Sequence, residues 1–287
     1  MSENVFADKT IVITGAGSGI GRALADRLAG HGARLALSDI DKDGLTETAE
    51  RLRFRGVEVR ADALDVTDRD AVLRYADTVA AEFGVVHQIY NNAGIAYFGS
   101  VLDSELEDIE RVMNVDYWGV VYGTKAFLPH LIASGDGHVV NISSLFGLLS
   151  LGGQSAYNSA KFAVRGFTEA LRQEMLAERL PVRVTCVHPG GIKTAVARNA
   201  TTAAGLDPDS VSSIFDRRMA FHSPEMAARV IVAGVARGKA RVLVGWEARA
   251  LDLVQRIGGA RYQRILAVTN PFNAVSKSVA VSKRERP

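Results

Sequence analysis

Tyr157 and Lys161 lie four residues apart in SAYNSAK (155–161), and Ser144 closes NISS thirteen residues before the tyrosine. On a helix, positions i and i+4 share a face, so the phenol and the ammonium can approach one point. A free phenol, with pKa near 10, is a poor base at neutral pH. A cation beside it favours phenolate and draws that pKa toward the working range. A neighbouring serine hydroxyl can hold a substrate oxygen and stabilise charge developing on it. The chemistry on offer is proton donation to an oxygen, or proton removal from it. Taken singly, these residues have plain readings: a core tyrosine, a solvated lysine, a strand-end serine.

A second constellation belongs to an anion. TGAGSGIGRALA (14–25) carries Gly15, Gly17, Ser18, Gly19, Ile20 and Gly21 between an apolar run and an amphipathic one. Glycines there permit a tight turn and close approach of the backbone to a pyrophosphate, and the helix start offers free N–H groups. Asp39 ends the next apolar run, 18 residues beyond Gly21. Its carboxylate can accept from the adenosine ribose hydroxyls and would repel a 2′-phosphate. Like charges about 4 Å apart repel by roughly 1 to 4 kcal/mol, and no Arg or Lys precedes Arg22 in the loop to offset this. NAD is therefore expected over NADP. Asp65 and Val66, at the end of a third run, fall where adenine would lie, and Asn92, Ala93 and Gly94 of NNAG end a fourth.

These groups need a scaffold that gathers distant residues at one edge. Strand-like runs occur at 10–14, 33–39, 57–65, 86–94, 137–143, 182–188 and 240–246, with helical stretches between most of them. That alternation predicts βαβ units: a single doubly wound α/β domain of Rossmann type, its parallel sheet flanked by helices, over residues 1–245. Residues 191–222 break the rhythm and read as a substrate lid. Residues 246–287 read as a basic helical extension ending in a loose tail from about Asn270.

Composition narrows the function class. The chain has 287 residues, 47% hydrophobic and 23% charged, enough to bury a core without disulfides. The lone Cys186 lies in a strand-like run, which suits a reducing compartment. No secretory signal or membrane-length apolar run is visible, and a cytoplasmic protein is expected. His188 has no second ligand at suitable spacing, so no metal is expected and His188 reads as structural. From Arg237 onward the chain carries eleven Lys/Arg against three carboxylates, a balance of +8 opposed to −6 for the remainder. The stretch 246–268 places Trp246, Ala250, Leu253, Val254 and Ile257 at helical spacing, with Arg249 and Arg256 on another face. Packing on its own domain or a sister subunit is favoured over peripheral membrane contact. Nucleic acid is not expected, because the body is acidic and no reading motif is present.

TGAGSGIG, NNAG, the Asn of MNVDYWG, NISS, YNSAK and PGGIKT occur in the order and spacing of the short-chain dehydrogenase/reductase family, which residues 8–245 resemble. The resemblance implies hydride exchange between a nicotinamide dinucleotide and an alcohol or ketone. Tyr157 would be the acid/base, and Lys161 its tuner and a binder of the nicotinamide ribose. Asn114 would hold a water linking Lys161 to solvent. Strand periodicity does not choose between Ser143 and Ser144; the family spacing selects Ser144. Pro189, Gly190, Ile192 and Thr194 would meet the nicotinamide side of the cofactor. Homodimers or homotetramers through helices near 105–130 and 155–178 are implied as well. Leu145, Phe146, Leu148, Leu149, Leu151 and Tyr97 suggest an apolar pocket for a hydrophobic secondary alcohol or ketone. The alternatives are an NADPH-dependent ketoreductase and a non-catalytic, dinucleotide-responsive binding protein.

Overall fold

The computed structural model describes residues 5–273. Seven strands form one sheet: β1 (Thr10–Thr14), β2 (Arg34–Asp39), β3 (Val59–Ala63), β4 (Gln88–Asn91), β5 (Gly137–Ile142), β6 (Val182–Pro189) and β7 (Arg241–Val244). Every neighbouring pair is parallel, in the order β3-β2-β1-β4-β5-β6-β7. The order reverses between β1 and β4, and the crevice beyond the strand ends at such a reversal is where open α/β sheets bind ligands. β1 and β5 are buried along their whole length, with the apolar centres Ile11–Ile13 and Val139–Val140 and buried His138 and Asn141.

Helices α1 (Gly19–Ala29), α2 (Lys42–Phe54), α3 (Arg69–Phe83), α4 (Leu106–Met113), α5 (Gly119–Ala133), α6 (Ser155–Ala177) and α8 (Pro224–Ala236) cover the two faces. Leu24 and Leu28 of α1 pack with Ile231 and Val235 of α8 over Leu35 and Leu37 of β2. On the opposite face Val79 of α3, Phe127 of α5 and Leu171 of α6 meet Ile89 and Val139. Helix starts follow side-chain capping: Asp41 accepts from the Gly44 N–H at 3.2 Å and Asp68 from the Ala71 N–H at 2.9 Å.

Residues 191–222 are more ordered than a bare loop. They contain a helical turn (Ala195–Arg198), a two-residue strand (Thr201–Thr202) paired with Tyr97–Phe98, and α7 (Pro208–Arg218). Beyond β7 run α9 (Trp246–Gly258) and α10 (Arg261–Thr269), separated where Gly259 adopts φ +51°. The expected loose tail does not begin at Asn270. The Asn270 amide donates to the Gly152 carbonyl at 3.0 Å, and the buried Phe272 ring lies 4.8 Å from that of Phe98. The rest of that tail lies outside the described residues.

Candidate active site

The strand ends at the reversal open into a cavity of about 290 Å³. Gly15, Ser18, Gly19, Ile20, Asp39, Asp65, Val66, Asn92, Ala93 and Gly94 line one part, and Ser144, Tyr157, Lys161, Pro189, Gly190, Ile192 and Thr194 another. Gly17 and Gly21 support that lining without joining it. The Gly17 N–H donates to Asp39 Oδ2 at 2.7 Å, fixing the carboxylate at the cavity wall. A Cβ on Gly21 would stand 1.9 Å from the Gly15 carbonyl oxygen, so only glycine lets α1 approach the loop this closely. The Asn92 amide donates to the carbonyls of Thr14 and Gly15, both at 3.0 Å, tying the end of β4 to the same loop. Asp65 accepts from the Thr67 N–H at 2.9 Å and remains at the rim.

Ser143 and Ser144 part as strand neighbours should. The Ser143 hydroxyl donates to the Lys161 carbonyl at 2.8 Å and so bonds back to α6. The Ser144 hydroxyl accepts from the Phe146 N–H at 3.1 Å and adjoins the Tyr157 phenol. His188 is buried with Nδ1 2.9 Å from the Ser144 carbonyl oxygen. Burial pulls its pKa down to about 4, so the ring is neutral near pH 7 and Nδ1–H donates to that carbonyl. His188 thus braces the serine backbone.

Lys161 is buried on α6, with Nζ 5.5 Å from the centre of the Tyr157 ring. Its partner is a surprise. Nζ lies 3.1 Å from Oδ2 of Asp116, a fully buried carboxylate whose Oδ1 accepts from the Ile95 N–H at 2.7 Å. Burial opposes the lysine charge most strongly, but Asp116 and Tyr157 together raise the Lys161 pKa. Burial likewise raises the Tyr157 phenol; Lys161 opposes that rise, Asp116 adds to it, and the Ser144 hydroxyl opposes it.

Asn114 is not at the site. It is exposed and does not line the cavity. Its carbonyl accepts from the Gly119 N–H within a π-helical turn, Asn114–Trp118, so neither its side chain nor its backbone oxygen reaches Lys161. The inward positions are Val112, Asp116, Gly119 and Val120, an i, i+4, i+7, i+8 stripe that was available in the sequence. Two other asparagines brace the sheet instead. Asn91 donates to Thr124 Oγ1 and Asn141 Oδ1, and Asn141 donates to Thr168 Oγ1, joining β4 and β5 to α5 and α6.

The apolar wall also differs from expectation. Of the six residues expected there only Phe146 lines the cavity; Leu145, Leu148, Leu149 and Leu151 pack in the core beneath, and Tyr97 in another cluster. Ile95, Ala96, Phe98, Val196 and Phe215 supply the wall. Among the described residues no group of three or more His, Cys, Asp or Glu is placed to hold a metal ion.

The sequence profile of the short chain dehydrogenases matches residues 9–205. The chain belongs to the short-chain dehydrogenase family. SadH of Mycobacterium tuberculosis (strain ATCC 25618 / H37Rv), named as an oxidoreductase, is 66% identical over 262 residues, covering 91% of this chain and 95% of that one. Estradiol 17-beta-dehydrogenase 11 of Macaca fascicularis is 36% identical over 208 residues, 71% of this chain and 69% of its own. A crystal structure of a short-chain dehydrogenase/reductase from Burkholderia phymatum in complex with NAD superposes with a TM-score of 0.80 at 29% identity, covering 88% of this chain and 94% of that one. As a short-chain dehydrogenase the protein is an oxidoreductase, and its parallel sheet flanked by helices is the family fold.

Proposed function

We propose that the protein is an NAD(H)-dependent dehydrogenase that interconverts an apolar secondary alcohol and its ketone. The observation that supports this best is the meeting of Tyr157, Ser144 and Lys161 in the cavity that the glycine loop also lines. The cradle suits a dinucleotide: Gly15 and Gly19 hold positive φ, and a Cβ on Gly15 would lie 2.8 Å from Ala93 Cα. Gly15, Ser18, Gly19 and Ile20 would hold the pyrophosphate, Asp39 the adenosine ribose, Asp65 and Val66 the adenine. Asn92, Ala93, Gly94, Pro189, Gly190, Ile192 and Thr194 would hold the nicotinamide side. A bound nicotinamide supplies hydride acceptance and return.

The chain supplies the proton and its control. Tyr157 donates the phenolic proton to the forming alkoxide during reduction and accepts it during oxidation. Lys161 tunes the phenol and would hold the nicotinamide ribose, Ser144 steadies the substrate oxygen, and Asp116 holds Lys161 charged. Arg22, the first cation after the glycine loop, is engaged with the Gly17 carbonyl at 2.6 Å and Glu47 at 2.8 Å. That favours NAD over NADP. The aliphatic and aromatic wall favours a lipophilic substrate, in keeping with a relative named for a steroid alcohol. The exposed Leu106, Trp118 and Phe162 beside α4 to α6 favour a homo-oligomer.

Replacing Tyr157 by Phe removes the proton carrier while keeping the ring. Turnover of secondary alcohols should fall by about two to four orders of magnitude, with NADH binding, followed by fluorescence, retained. A variant with wild-type turnover would refute the assignment.

A further inference from the structure

Helix α9 is turned inside out for a helix packed on its own domain. Its apolar stripe of Trp246, Ala250, Leu253, Val254 and Ile257 occupies one face, and that face looks outward, with Trp246 65% and Ile257 79% exposed. The inward face carries Ala248 and Leu251, packed on the core, and two carboxylates. Glu247 accepts from the Gly191 N–H at 3.0 Å and meets His222 Nε2 at 2.8 Å, while Asp252 pairs with Arg256 at 3.0 Å. The neighbouring α10 repeats the arrangement. Tyr262 is buried, its hydroxyl accepting from the Ser150 N–H at 3.1 Å, while Ile265 and Val268 are exposed. The expectation that the apolar stripe packs on its own domain therefore fails, and something outside the domain must cover it.

Charge says what. Arg249, Arg261 and Arg264 are exposed around these apolar side chains, as is Arg256, which is already paired with Asp252. Both carboxylates of α9 are buried and α10 has none, so the outer surface of the two helices carries cations alone. The sequence continues with Lys277, Lys283, Arg284 and Arg286 against Glu285. An isologous contact with a second copy would set this patch against itself, arginine facing arginine with no carboxylate to answer. A nucleic acid would satisfy the arginines and leave the aliphatic residues uncovered. An anionic bilayer does both: acyl chains take the apolar stripe, headgroups take the guanidinium groups, and an indole sits well at the boundary between them.

We propose that α9 and α10 form a docking surface for anionic lipid bilayers, lying in the headgroup region. The contact is peripheral, since no described helix is long and apolar enough to cross a membrane. The docked face is joined to the segment over the cavity. Phe221, itself exposed, lies 6.0 Å from the Trp246 ring, and Glu247 grips Gly191 and His222 from behind. Docking thus brings the cavity surroundings to the lipid, although the surface stands whether or not the substrate is lipophilic.

The test is co-sedimentation of the full-length protein with phosphatidylglycerol-containing vesicles and with pure phosphatidylcholine vesicles. Binding is expected to the anionic vesicles, weakened by high salt, and much less to the neutral ones. The double variant Leu253→Glu/Ile257→Glu should abolish it, and Arg249→Glu/Arg261→Glu should lower the partition coefficient about tenfold or more. All four positions are exposed, so circular dichroism and melting should match wild type. The proposal falls if wild type ignores anionic vesicles at low salt, or if both variants bind like wild type. It also falls if Leu253→Glu/Ile257→Glu lowers the oligomer mass in light scattering while vesicle binding persists, which would make the face a subunit contact.

Discussion

On the glycine-loop side of the cavity, functional side chains are held by the main chain: Asp39 by the Gly17 N–H, Asn92 by the Thr14 and Gly15 carbonyls. On the side of α6, β6 and α9, side chains hold one another. Lys161 pairs with Asp116, Glu247 with His222, Asp252 with Arg256, and the Phe98 ring meets that of Phe272 at a tilt. A main-chain partner is present whatever the sequence, so one residue type at one place suffices and becomes a readable motif. A side-chain pair needs two choices made together, and several combinations serve. The first half is therefore stereotyped, while in the second the YNSAK motif is legible but the partners of its lysine and of Glu247 are not.

The sharpest way to break the second half is at Asp116. Asp116→Ala leaves the Lys161 charge buried without its counter-ion, which should cost about 3 to 5 kcal/mol in chemical denaturation. Asp116→Asn keeps the shape and separates charge from packing. Asp116 and burial both hold the Tyr157 phenol above its ordinary pKa, and Lys161 alone among the charges opposes them. The other titratable groups bearing on Lys161 and Ser144 here, Cys186 and His188, are neutral near pH 7, burial lifting the first to about 12 and lowering the second to about 4. Removing the negative charge leaves Lys161 unopposed, so the phenol pKa falls. Alcohol oxidation needs phenolate, whose fraction rises with pH, so the rising limb of kcat/KM should move to lower pH. Movement to higher pH would mean that Lys161 had lost its proton and that Asp116 is required to keep it charged.

Glu247 is next in size. Glu247→Ala leaves the buried Gly191 N–H and His222 without their acceptor, and an unpaired buried donor costs about 1 to 3 kcal/mol. Gly190 and Ile192 flank that N–H and line the cavity, so KM for the cofactor should rise together with the loss in denaturation midpoint. Glu247→Gln should recover much of both. A change in stability with no change in KM would separate this anchor from the cavity.

What could be read from the sequence follows the same division. All seven strands were visible as short runs between helical stretches, and their ends differ from the reading by only a few residues. Asp39, Asn92 and the glycines were legible through the main-chain geometry they serve. Glu247 was not, because nothing near it in sequence announces Gly191, 56 residues earlier. The leucines at 145, 148, 149 and 151 were apolar as expected, yet apolarity does not tell a cavity wall from the core behind it. The outward turn of α9 was also hidden: its stripe was plain, but the side that meets the domain carries Glu247, whose partners Gly191 and His222 are distant in sequence.

Breaking the stereotyped half should alter preference more than stability. Asp39→Ala removes the repulsion toward a 2′-phosphate and the acceptor for the Gly17 N–H. The ratio of kcat/KM for NADP over NAD should rise by about one to two orders of magnitude, through gain for NADP and some loss for NAD. An unchanged ratio would place cofactor choice elsewhere in the loop.

The smallest expected effect tests whether the comparison was drawn with the right residues. Asn114 and Asp116 stand two positions apart, and a motif reading alone favours the asparagine. On the helix they point to different sides, Asn114 into solvent and Asp116 into the site. Asn114→Ala loses no hydrogen bond made by its side chain among the described residues and keeps the carbonyl that accepts from Gly119. Alanine is also the better helix former. Stability should stay within about 0.5 kcal/mol of wild type, with kcat and its pH profile unchanged, while Asp116→Asn shifts that profile. Should Asn114→Ala instead lower kcat as a catalytic substitution does, the ion pair at Asp116 would be packing alone, and the proton path from Lys161 would have to pass through the π turn.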